Sequence, residues 1–116
     1  MNDIMREAIL KHCKKHKYSK QYTAYWVEHL FCEICGKVSS APHHIRTRGA
    51  GGGDEAENLL AFCKAHHDEV DIGILTFAKK YSQFWEKVLA ALDIEGMEME
   101  DFNPETLNIF VTRRQE

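Results

Sequence analysis

Two short pairs of metal-affine side chains, Cys32-Glu-Ile-Cys35 and Cys63-Lys-Ala-His66, stand on either side of residues 36–62. Two ligands separated by two residues reach one ion from a single tight turn, and two such turns close a tetrahedron. That is the geometry of zinc bound by thiolate and imidazole. Gly36, directly after the first pair, suits the backbone of such a turn. The pattern constrains the fold because it ties residues 32–35 to residues 63–66 across a stretch with little regular structure of its own. A small chain gains much from such a clamp. All four positions are filled by protein groups, so the zinc is expected to be structural. On a helix beginning at Cys63, His66 and His67 both lie near the cysteine. The spacing of two residues favours His66 and frees His67.

The remaining composition fits this reading. The 116 residues suit one domain, 1–116. No apolar run approaches the roughly 18 to 20 residues of a membrane span. The N-terminal MNDIMREAILKHCKKHK lacks the apolar stretch of a secretory signal, so a cytoplasmic protein is expected. In a reducing compartment, paired cysteines more often hold metal or carry out redox chemistry than form structural disulfides. A net charge of −3 argues against indiscriminate coating of nucleic acid. The charge is polarised, however. Arg6, Lys11, Lys14, Lys15, Lys17 and Lys20 crowd the start, and six acids with no base lie between Asp93 and Glu105. A basic side of this kind serves equally as a solvated helix face or as a surface for phosphates.

Periodicity outlines the elements. Ile4, Met5, Ala8, Ile9 and Cys13 predict a helix over residues 3–16, with Cys13 packed as a small hydrophobe. His12 and His16, four residues apart, lack a converging third ligand. Ser19 is a plausible N-cap for a second helix carrying Tyr22, Tyr25, Trp26, His29 and Leu30. Pro42 suits the edge of a strand, which is placed at residues 42–46. A second strand is expected at 59–62 and a helix from Cys63–Lys64. The run Gly49-Ala50-Gly51-Gly52-Gly53 lacks the Lys-Ser/Thr of a nucleotide-binding loop and is taken as a flexible connector. Ile74, Phe77, Ala78 and Tyr81 predict one further helix, and Phe84, Trp85, Val88, Leu89 and Leu92 another. Asn103-Pro104-Glu105 resembles a helix start, although LNIFVT behind it is β-prone.

Several residues inside the clamp are not used by it: His43, His44, Asn58 and His67, with Asp71 one helical turn further on. Imidazole and carboxylate can bind a divalent cation while leaving positions open, and a second neutral imidazole can act as a general base near neutral pH. The ordered set Cys-x2-Cys-Gly, His-His-Ile, Asn-Leu-Leu and Cys-x2-His-His resembles the HNH endonucleases, also called ββα-metal or His-Me finger nucleases, of the small zinc-stapled bacterial or phage type. The likeness covers residues 32–71. It implies an α+β fold in which a zinc-stapled ββα-metal core, 32–71, lies between N-terminal helices, 1–31, and C-terminal helices, 72–116.

The resemblance also assigns roles. It makes His43 and His67 ligands of one catalytic divalent cation such as Mg²⁺ or Mn²⁺, with Asp71 as a further ligand. It makes His44 the general base and Asn58 a brace for the loop that helps orient that base. The implied reaction is hydrolysis of a DNA phosphodiester, with water activated by His44 and 5′-phosphate and 3′-hydroxyl ends produced. Arg46 and Arg48 are candidate phosphate contacts, with two exposed loop arginines as the plain alternative. Duplex DNA is the expected partner. A single such site nicks one strand, so double-strand cutting needs a homodimer or successive nicks. The competing class is a catalytically silent zinc module that binds nucleic acid or protein. Such a module needs Cys32, Cys35, Cys63 and His66 but is indifferent to the histidines and Asn58. A redox-active Cys32-x2-Cys35 is a weaker alternative, because it gives no reason for Cys63 and His66. In an ideal strand His43 and His44 point to opposite faces. Joint action therefore requires the strand to end or bend there.

Overall fold

A computed structural model of the chain describes residues 2–102, which form a small α+β unit of five helices and a two-stranded antiparallel sheet. The helix start expected at Asn103-Pro104-Glu105 and the β-prone segment behind it lie outside the described residues.

The N-terminal hairpin consists of α1, Asn2–Lys15, and α2, Lys20–Glu28. Lys17, at φ 58°, makes the left-handed turn between them. Cys13 is buried as its periodicity suggested, but the rest of the α1 stripe is only grazed. Ile4 remains 71% exposed and Ala8 is exposed, while Met5 and Ile9 are half-buried. Periodicity can define a stripe without specifying how much of it is covered. In α2 the Ser19 hydroxyl accepts the Tyr22 N–H at 3.1 Å, satisfying one of the open donors of the first turn. Tyr22 and Tyr25 of this helix face inward.

The core is organised by residues 59–62, all of which are fully buried. Their side chains alternate between two apolar clusters. Leu60 and Phe62 join the C-terminal helices, while Leu59 and Ala61 pack against Tyr22 and Tyr25. A strand buried on both faces reads as a continuous apolar run, which is what Leu-Leu-Ala-Phe provides. Burying each of the large side chains stabilises the fold by about 1.5–3 kcal/mol. Only Leu59–Leu60, β2, pairs with His43–His44, β1, in the register His43–Leu60 and His44–Leu59. Both strands are shorter than expected. Beyond β2, the Ala61 carbonyl accepts Glu33 N–H of the first knuckle and the Phe62 carbonyl accepts Ser40 N–H just after it. Beyond β1, Tyr22 stands against the strand and its hydroxyl donates to the Pro42 carbonyl at 2.9 Å.

Helix α3, Lys64–Ile72, follows with Cys63 as its N-cap residue. Helices α4, Ile74–Lys80, and α5, Trp85–Leu92, close over Phe62 with Phe77, Phe84, Val88 and Leu89. Glu69 ties α3 to the end of α4 by accepting from Lys80 Nζ at 2.6 Å and the Tyr81 hydroxyl at 2.9 Å. No helix among the described residues is long and apolar enough to cross a membrane.

Candidate metal centre

The first knuckle is a turn closed by its own backbone. Cys32 N–H donates to the Lys37 carbonyl at 2.6 Å and Gly36 N–H to the Cys32 carbonyl at 3.0 Å, with Gly36 at φ 78°. This conformation suits a residue without Cβ. The second pair sits at the start of α3. Together they bring Cys32, Cys35, Cys63 and His66 into a cluster whose donor atoms all lie within 4.8 Å of one another and can hold a metal ion. Cys35 Sγ to Cys63 Sγ is 3.7 Å, and His66 Nδ1 stands 3.5 Å from Cys32 Sγ and 3.2 Å from Cys63 Sγ. For metal–sulfur and metal–nitrogen bonds of about 2.3 and 2.0 Å, tetrahedral edges are about 3.8 Å between sulfurs and about 3.5 Å between sulfur and nitrogen. These three edges lie within about 0.3 Å of those values, and three thiols with one imidazole form a donor set suited to zinc. The backbone N–H of His66 holds the Cys63 thiol down to about 6, with the ring of His66 and the neighbouring sulfurs adding to the effect. A thiolate ready to ligate is thereby available at neutral pH.

One residue along α3 the chemistry changes. His67 turns away from the sulfurs and meets His43 of β1, with His43 Nδ1 3.3 Å from His67 Nε2. Asp71, one turn later, places Oδ1 3.8 Å from His43 Nδ1 and Oδ2 3.4 Å from His67 Nδ1. His43, His67 and Asp71 form the second donor group among the described residues able to hold an ion. Ligands about 2.1 Å from an ion stand about 3.0 Å apart in an octahedron and about 3.4 Å apart in a tetrahedron, so this spacing is slightly open. Asp71 addresses the other ring nitrogen of His67. It can therefore ligate through one oxygen or orient the imidazole through the other, as carboxylates behind metal-bound histidines do. Burial, reinforced by His67, keeps the pKa of His43 below its ordinary value, so the ring is neutral and able to ligate at neutral pH. His12 and His16 pack ring against ring at 4.4 Å and belong to neither donor group.

The neighbouring His44 diverges from this cluster. The strand ends at His44, and its ring lies parallel to Tyr22, 5.4 Å between centroids and 11° between planes. Its Nε2 meets Asp54 Oδ1 at 2.7 Å. Asp54 also accepts the Ser19 hydroxyl at 2.7 Å and is paired with Arg48 at 3.3 Å. Burial alone would raise the Asp54 pKa. The hydrogen bonds from His44, Ser19 and Arg48 outweigh it and hold the carboxyl below the usual range. Sequence reasoning passed over Asp54. Its one legible signal was a carboxylate closing a glycine-rich loop that begins two residues after a histidine pair.

That loop is built rather than slack, contrary to the flexible connector expected from its glycines. Asn58, 3% exposed, donates from Nδ2 to the carbonyls of Arg46 and Gly53 at 2.9 and 2.8 Å, and its Oδ1 accepts Arg46 N–H at 2.8 Å. One side chain thus clamps both ends of the loop. A Cβ on Gly52 would overlap the Arg46 carbonyl, so only glycine fits there. Residues Arg48–Ala50 form a 3-10 turn capped by Thr47. The two arginines are engaged within the loop: Arg46 Nε donates to the Ala50 carbonyl at 2.9 Å, and Arg48 pairs with Asp54. Both side chains remain exposed, Arg48 to 59%, as the plain alternative of two exposed loop arginines has it.

Comparison with known families matches residues 2–96 to one described as "Protein of unknown function (DUF968)". The chain is also similar to the uncharacterized protein YdfU of Escherichia coli (strain K12), at 31% identity over 90 residues, 75% of this chain and 26% of that protein. The chain thus spans about a quarter of the relative's length. No solved structure matches.

Proposed function

The chain belongs to the DUF968 family of proteins of unknown function, and we propose that it is a metal-dependent DNA endonuclease of the HNH kind. The observation that carries this reading is the division of labour between adjacent residues of α3. His66 faces three cysteine sulfurs, while His67 faces His43 and Asp71. A zinc staple alone would need only the first group. The second group is open to solvent, with Asp71 55% exposed, and the strand that supplies His43 carries a further histidine, His44.

In this reading zinc on Cys32, Cys35, Cys63 and His66 locks α3 against the knuckle. His43 and His67, with Asp71 beside them, hold one divalent cation. When bound, that cation supplies Lewis-acid neutralisation of a phosphate and of the departing 3′ oxygen. His44 serves as general base, taking a proton from the attacking water. Asn58 keeps the loop between β1 and β2 in one conformation, which fixes where β1 ends. Duplex DNA is the substrate, cut one strand at a time, with double-strand breaks made by a homodimer or by successive nicks.

The test is nicking of supercoiled plasmid by the purified chain with Mg²⁺ or Mn²⁺, against chelator and His44→Ala. Removing a general base is expected to lower the rate by at least about a hundredfold while zinc content and fold persist. Equal nicking by variant and wild type would return the chain to the competing class, a zinc module that binds without cutting.

A further inference from the structure

The hydrogen bond between His44 and Asp54 extends the reading of His44 as the base, and the inference rests on that reading. We propose that Asp54 is the positioning residue of His44: its carboxylate accepts the Nε2–H bond and so fixes the imidazole in the tautomer whose lone pair is on Nδ1.

A neutral imidazole carries one proton on either nitrogen, and the partner of one nitrogen decides the state of the other. Asp54 Oδ1, 2.7 Å from Nε2, can only accept, so the proton resides on Nε2. Nδ1 then carries the lone pair and has no hydrogen-bond partner among the described residues. The ring is constrained in two further ways. Tyr22 lies flat against its face, and the Tyr22 hydroxyl is anchored on the Pro42 carbonyl just before β1. The carboxylate is itself held, by the Ser19 hydroxyl at 2.7 Å and by Arg48. Ser19 is in turn the N-cap of α2. A chain of contacts therefore runs from the start of α2 through Ser19 and Asp54 to His44, and returns through Tyr22 of the same helix.

The chemical consequence balances simply. Water gives its proton to Nδ1 as its oxygen forms the new bond to phosphorus, and the bond from phosphorus to the 3′ oxygen breaks. The departing oxygen takes a proton from solvent. The resulting imidazolium sits against the negative charge of Asp54, which keeps no proton itself. A purely architectural carboxylate would tie α2 to the loop just as well, but it would have no effect on turnover separate from folding.

The experiment uses the zinc-loaded full chain and its Asp54→Ala, Asp54→Asn and Asp54→Glu variants, each checked for zinc content and helical signal. With Mn²⁺ and plasmid, Asp54→Ala is expected to lose about tenfold to a hundredfold in kcat with KM unchanged. Asp54→Glu is expected to restore part of the loss. Asp54→Asn keeps the shape and covers the case in which the alanine variant does not fold. Long-range proton–nitrogen correlation spectra of histidine-labelled protein, taken at a pH where free imidazole is neutral, should show His44 protonated on Nε2 in wild type and mixed in the alanine variant. Wild-type turnover by folded Asp54→Ala, alongside an inactive His44→Ala, would overturn the inference and leave the nuclease reading standing. If the wild-type chain does not cut at all, the nuclease reading fails. The spectra then decide alone, and a wild-type proton on Nδ1 overturns the positioning role.

Discussion

Replacing Cys35 by serine separates the contribution of a bound metal from that of core packing. Cys35 is exposed, whereas Cys32 and Cys63 are 4% and 5% exposed and would leave holes in the core if shortened. An exposed substitution elsewhere on such a surface changes stability by no more than about 0.5 kcal/mol. Structural zinc contributes about 10–16 kcal/mol in small metal-folded units. A domain of the 101 described residues, at roughly 0.05–0.15 kcal/mol per residue, holds only about 5–15 kcal/mol in total. Losing the ion is therefore comparable to losing the fold. The knuckle from Phe31 to Val38 offers little to replace it. Those two end residues are 44% and 59% exposed, and besides its backbone hydrogen bonds the turn has the packing of Cys32 and Ile34 and the Glu33 carboxylate accepting Ala61 N–H at 3.2 Å. Cys35→Ser is expected to cost at least about 3 kcal/mol, well above the surface baseline. Elemental analysis should give one zinc per wild-type chain and less than one in the variant, and thermal unfolding followed by circular dichroism should show the midpoint collapse. A metal-free wild type that unfolds cooperatively at an unchanged midpoint would refute the reasoning, as would a serine variant of wild-type stability.

Three further outcomes are expected. Asn58→Ala strips the partners from Arg46 N–H and from the carbonyls of Arg46 and Gly53, and should destabilise the fold by about 3 kcal/mol in urea titration. Asp71→Ala should weaken Mn²⁺ binding, measured calorimetrically on zinc-loaded protein, by about tenfold to a hundredfold without loss of zinc. The depressed carboxyl of Asp54 makes a signed prediction with pH. Its stabilisation is complete above the unfolded carboxylate value of about 3.9 and is lost as pH falls through the lower folded value, so the stability gap between wild type and Asp54→Asn should close on acidification. A gap that widens as pH falls contradicts the assignment.

Much of the architecture was legible along the chain because its determinants are local. Ser19 caps α2 through a contact three residues away, and Cys63 opens α3 where the second pair begins. The four donors of the first cluster are two turns whose spacing any reader of the chain can count. The buried run at residues 59–62 shows itself as uninterrupted apolar side chains. By contrast, α1 has a stripe as regular as that of α2, yet only Cys13 of it is buried, because how much of a stripe is covered depends on what packs there.

What the chain alone determined, then, was the set of elements and the pairing of Cys32, Cys35, Cys63 and a histidine. Both follow from separations of a few residues. Only the tertiary structure decided which way each histidine turns. His66 and His67 divide between two donor groups, and His43 and His44 part company where β1 ends. Asp54 acquired its place in the same way. It is ten residues from His44 and thirty-five from Ser19, and no periodicity connects such distances. The glycine loop was misread because its order comes from Asn58 reaching both of its ends, a contact that glycine content cannot reveal. Directions of side chains from short, bent strands are set by what packs behind them, and here that is α2 on one side and α3 on the other.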